Sequence, residues 1–100
     1  MKFRDHTLLL DQNVLRDQTA RAITENLETD LGVIATFIEI AANRFNSGNR
    51  ELGERAKGAA EKGIATIRHS IATFDFLSVG VKERIAKQCD ELKTRLDRIG

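Results

Sequence analysis

Apolar residues in this chain recur at the interval of a helical turn. Ile23, Leu27, Leu31, Ile34, Ile38, Ala41 and Phe45 follow one another in steps of 4, 4, 3, 4, 3 and 4, which places them on one face of an α-helix. The run stops at "FNSGN", where Gly48 suits the left-handed residue that ends a helix. The spacing predicts a first helix over 17–45. Asn49 follows as an N-cap, with Glu51 in the first turn, where a carboxylate complements the helix dipole. A second face reads Leu52, Ala56, Ala59, Ala60, Gly63, Ile64, Ile67, Ile71 and Phe74, predicting a helix over 49–74. "DFLSVG" then breaks the pattern. Val81, Ile85, Cys89, Leu92, Leu96 and Ile99 predict a third helix over 79–99. Upstream, Leu8, Leu9, Leu10, Val14 and Leu15 cluster before the polar "RDQTAR", which leaves room for a short extra helix over 8–15.

Two short connections make sequential helices antiparallel neighbours. The expected fold is therefore all-α, an antiparallel three-helix bundle forming one domain over 1–100. Composition agrees. The chain has no proline, which removes the commonest helix breaker, and it carries no internal repeat, low-complexity segment or linker.

Gly53, Gly58 and Gly63 stand at an even five-residue spacing inside the second predicted helix. Each costs a helix about 1 kcal/mol relative to alanine, so the trio needs a reason. At about 100° per residue, Gly53 and Gly63 fall in the arc of Leu52, Ala56, Ala60 and Ile67, while Gly58 points away beside charged side chains. A tight helix crossing near Ala56 to Gly63 is expected, with Gly58 left without a packing role. A phosphate loop is excluded on detail: G-x-x-x-x-G must be followed by Lys and Ser or Thr, and Ala59 and Ala60 follow Gly58.

The first predicted helix has a second apolar line, Leu15, Ala22, Val33, Phe37 and Ile40, displaced from the first. Together the two lines cover nearly half the circumference, more than a surface helix needs. The helix is also longer than the third, about 43 Å against about 30 Å at 1.5 Å per residue. An uncovered apolar strip of this kind marks a partner. The expected interface is Leu15, Val33, Phe37 and Ile40, with the cluster at Leu8 to Leu15 available to cover the strip in its own chain or a symmetric copy. Asp30, between the two lines, belongs at an edge or in a pair.

Candidate chemistry is thin. Neither His6 nor His69 has a glutamate three residues before it, there is no H-E-x-x-H, and one cysteine makes neither a disulfide nor a metal quartet. No metal, cofactor or small-molecule ligand is expected. Cys89 lies on the apolar line of the third helix and reads as a small core residue. His69 faces away from Ile67 and Ile71 and should be exposed. In that one respect it resembles histidine phosphotransfer domains, which imply a phosphoacceptor histidine on a bundle helix. Their H-x-x-K-G is not matched, because Ala72 and Thr73 hold the lysine and glycine places.

Net charge is +1, and the basic residues of the third helix alternate with Glu83, Asp90, Glu91 and Asp97, so neither nucleic acid nor an anionic membrane is an expected partner. The apolar run "LGVIATFIEIAA" at 31–42 is too short for a membrane span of about 20 residues, and the leucines at 8–10 are too few for a signal peptide. A cytoplasmic location is expected. The functional expectation is a non-enzymatic helical module for protein–protein interaction, an adaptor, chaperone or regulator. Its partner would be a second copy, with a dimer favoured, or another protein. The alternative is phosphotransfer through His69.

Overall fold

The computed structural model describes the backbone of residues 2–100 and the side chains of residues 14–100. The described residues form three helices and no strand: α1 (Lys2–Asn46), α2 (Arg50–Thr73) and α3 (Val79–Asp97). α1 departs from the expectation of a helix over 17–45 preceded by a separate short one over 8–15. It is a single helix of 45 residues. "RDQTAR" interrupts the apolar pattern without breaking the backbone, since it contains neither glycine nor proline. The side chains of His6, Leu8, Leu9 and Leu10 lie outside the described residues. The stretch 8–15 continues the axis of α1, so it cannot fold back to cover the rest of that helix in its own chain.

The two connections are held by local hydrogen bonds. Gly48, at φ 83°, ends α1. Its N–H donates to Phe45 O at 3.1 Å while Asn49 N–H donates to Arg44 O at 2.8 Å, the pair of bonds that satisfies the last carbonyls of a helix. Asn49 then opens α2, its side-chain Oδ1 accepting from Leu52 N–H at 3.3 Å. Ser78 opens α3 in the same way, with Oγ accepting from Val81 N–H at 3.2 Å. Between α2 and α3 the polypeptide turns over Leu77, which is buried and belongs to the core. The rings of Phe74 and Phe76 pack beside it with centroids 5.5 Å apart.

The core is built by the apolar lines. α1 supplies Leu27, Leu31, Ile34, Ile38 and Ala41, α2 supplies Ala56, Ala60, Ile64 and Ile67, and α3 supplies Ile85, Cys89, Leu92 and Leu96. Leu52 and Ala59 differ from the expectation: both are exposed, because they sit at the edge of the face that Gly53, Ala56 and Ala60 bury. Two glycines set the approach of α2 to α1. A Cβ on Gly53 would stand 2.9 Å from Phe45 Cδ2, and one on Gly63 would stand 2.7 Å from Ile34 Cγ1. A Cβ on Gly58 would meet nothing within 4 Å.

Polar contacts tie the same surfaces at the rim. Lys57 Nζ donates to Ile99 O at 3.1 Å, Arg68 pairs with Asp90 at 2.8 Å, and Arg84 pairs with Glu28. The two ion pairs are solvent-exposed and contribute less than about 1 kcal/mol each. Packing, not charge, holds the helices together.

Cys89 is fully buried in this core. Burial pushes its thiol above the ordinary value; Arg68 pulls the other way, and Asp90 adds to the rise. The unfolded chain therefore gives up the thiol proton first as pH rises. That makes the contribution of this thiol to stability full at neutral pH and falling above about pH 8.5. Comparing urea unfolding of the parent and Cys89→Ala between neutral and alkaline pH should show a shallower alkaline decline in the variant. Parallel declines would mean the thiol is not desolvated.

The glycines give a second comparison by urea unfolding. Gly58→Ala should stabilise by about 0.5–1 kcal/mol through helix propensity alone. Gly63→Leu should destabilise by about 1–3 kcal/mol by forcing α2 off Ile34. A neutral Gly63→Leu would show that the crossing is not close.

Candidate functional site

α1 outruns everything laid against it. Its 45 residues make about 68 Å of helix, against about 36 Å for α2 and about 28 Å for α3. The longest dimension of the molecule, 69 Å, is the length of α1 itself. Ala20 is the first described α1 residue to pack against the core. Around it a shallow hollow lined by Ala20, Thr24, Phe76, Leu77 and Val81 marks where the α2–α3 connection ends its cover. Every described side chain before Ala20 is exposed, with Val14 at 51% and Leu15 at 58%.

Alongside the bundle, α1 carries Val33, 48% exposed at the rim of its groove with α2, and Ile40, 39% exposed. Phe37 does not join them in the open. It is half-buried and packs on the core cluster. It lines a groove between α1 and α2 with Asp30, Val33, Ala59, Gly63 and Thr66. The ring is received there because the facing α2 residues are small. Of the four residues expected at an interface, Leu15, Val33 and Ile40 are therefore outward-facing, and Phe37 forms the wall beside them. Asp30 is exposed at the rim of that groove.

The exposed apolar residues belong to a longer stripe. Leu15, Thr19, Ala22, Asn26, Thr29, Val33, Thr36, Ile40 and Asn43 follow one another in alternating steps of 4 and 3, and all nine are exposed. None is charged, in a chain where 31% of residues are. Steps of 4 and 3 repeated over four heptads keep one seam along a helix, the spacing by which two helices pair. Two of its threonines are less polar than they read. Thr29 Oγ1 donates to Glu25 O at 3.0 Å and Thr36 Oγ1 to Gly32 O at 3.1 Å. With each hydroxyl satisfied inside its own helix, covering these side chains strands no donor.

Other candidates are weaker. His69 is exposed on the face of α2 opposite its buried residues. Cys89 is sealed in the core and offers no accessible thiol. The open groove between α1 and α3 is lined by Glu28, Gln88, Glu91 and Arg95 around Leu31 and Leu92, a mixed-sign surface without a convergent set of donors. Among the described residues, no group of three or more His, Cys, Asp and Glu is placed to hold a metal ion, and no helix is long and apolar enough to cross a membrane.

No family model matches the chain, and searches of curated proteins and of solved structures returned no significant match. The outer face of α1 is thus the feature from which function has to be argued.

Proposed function

We propose that this protein is a non-enzymatic helical interaction and oligomerisation module, an adaptor, chaperone or regulator whose partner lies along the outer face of α1. The carrying observation is the uncharged, exposed stripe from Leu15 to Asn43 on a helix that outruns its own bundle. Surface helices of monomers set charged residues on the face away from the core; this one keeps a seam clear of them. The bundle serves as a rigid mount. Its helices run antiparallel in sequence order, a reading supported by the pairs Gly53–Phe45 and Gly63–Ile34 between α2 and α1, and Lys57–Ile99 and Arg68–Asp90 between α2 and α3. The partner is a second copy or another protein, with a dimer favoured, and the chain acts in the cytoplasm without metal, cofactor or nucleic acid.

His69 supports a second reading, phosphotransfer, on its accessibility. The stripe is preferred because it is an extended arrangement, whereas an exposed imidazole alone is common. Incubation with a phosphodonor should leave the chain unlabelled. An acid-labile label lost in His69→Gln would move the assignment to phosphotransfer.

Light scattering over a wide concentration range should show a reversible dimer or larger assembly. Val33→Lys and Ile40→Lys, which put a charge into the seam, should each weaken association about tenfold or more while helical content by circular dichroism stays unchanged. Association unaffected by both substitutions would take the outer face of α1 out of the interface.

A further inference from the structure

Resting on that reading, we infer that the occupant of the stripe is the stripe of a second copy, with the two α1 helices antiparallel and residue i of one opposite residue 55 − i of the other. When antiparallel helices pair through seams of this spacing, the two alternating sets of positions face one another across the interface. In this chain one set is Thr19, Asn26, Val33 and Ile40, and the other is Leu15, Ala22, Thr29, Thr36 and Asn43. The proposed alignment places Ile40 on Leu15 of the second copy, Val33 on Ala22, Thr19 on Thr36, and Asn26 on Thr29. Each apolar position meets an apolar one, and each polar position a polar one. The two-fold axis passes between positions 27 and 28, so the same contacts are made twice, as a closed dimer requires.

The flanks agree with this direction. Gln18, Glu25, Gly32 and Glu39 border the seam on one side, and Arg16, Ile23, Asp30, Phe37 and Arg44 on the other. Antiparallel pairing sets each flank against its own copy. Glu39 then lies near Gln18 of the second copy, Glu25 near Gly32, Asp30 near Ile23 and Arg16 near Phe37, so no like charges oppose. Parallel pairing in register would set Glu25 against Asp30 of the second copy on both sides, where like charges repel, and Glu39 against Arg44, where opposite charges attract, so it mixes a repulsion that the antiparallel pair avoids with an attraction that the antiparallel pair lacks.

The overhang fits as well. The described side chains of α1 before Ala20, exposed in their own chain, are carried onto the far half of the partner's α1. Leu15 arrives at a shallow hollow lined by Ile40, Asn43, Arg44 and Ser47. Each chain covers the outer face of the other, and the satisfied hydroxyls of Thr29 and Thr36 let the centre of the seam close without stranding a donor.

Mixed cysteine cross-linking tests this in the full chain. Leu15→Cys and Ile40→Cys are prepared separately in a Cys89→Ala background, or with Cys89 retained should that background lose helical content, since the native thiol is sealed in the core. Each is treated alone and mixed with a short bismaleimide at a concentration where light scattering reports dimer. The expected result is a covalent dimer from the mixture and little from either variant alone, because identical positions would lie about 38 Å apart. Efficient linking within Leu15→Cys alone would show a parallel pair and overturn the arrangement while leaving the interaction reading standing. Dimer by light scattering with no link in any mixture would overturn it in favour of a different face. A monomer at every concentration would exclude self-association, leaving only a different protein as partner under the broader reading.

Discussion

A helix buries only the faces that something reaches, and α1 is nearly twice as long as α2 and more than twice as long as α3. That mismatch organises the molecule. Over its second half, α1 is one wall of a compact core, with Ile34 and Phe45 pressed against backbone that carries no side chain at Gly63 and Gly53. Over its first part the described side chains before Ala20, Val14 and Leu15 among them, stand in solvent. The two regions share one continuous helix, so whatever engages the first part is joined to the bundle through the backbone of α1. Isolated helices gain most of their stability from an apolar face packed on something. An overhanging one without a partner gives that up.

The close approach of α2 has a second consequence. The small residues that admit it, Ala59, Gly63 and Thr66, leave a groove beside α1, which Phe37 partly fills. Had α2 carried large side chains there, Phe37 would stand out with Val33 and Ile40 and the outer face would be broader and stickier. Instead the exposed apolar area is divided into single residues two or three turns apart, separated by threonine and asparagine. Such a seam associates by alignment rather than by bulk.

Much of the core was legible from spacing, because burial follows the helical period directly. The lines through Ile23 to Phe45 and Val81 to Ile99 are the packed lines of α1 and α3, and the two buried-side glycines were separable from Gly58 by angle alone. What spacing did not reveal has physical causes. Leu77 is buried from a connection, where no period applies. "RDQTAR" looked like a boundary because apolar pattern and backbone continuity are different properties. Phe37 and Val33 lie 40° apart on the wheel, too close for pattern to say which one a neighbouring helix will shelter. The candidate interface was legible only as its apolar members.

The polar members were hidden because threonine reads as polar in any hydropathy pattern, and only coordinates show a hydroxyl turned back onto the preceding turn. Thr29 and Thr36 present methyl groups once their Oγ1 atoms donate to Glu25 and Gly32. Read with that correction, the 4-and-3 spacing through Thr19, Asn26, Thr29 and Thr36 joins Leu15 and Ala22 to Val33 and Ile40 in one seam. Asn26 then takes on a definite meaning. An amide in a helix–helix seam is costly against an apolar neighbour and cheap against another polar side chain, so it disfavours registers that set it against an apolar one. In the proposed antiparallel pair, its place one turn from Thr29, near the middle of the stripe, would set both copies of it close to the two-fold axis, where such a discriminator acts most strongly.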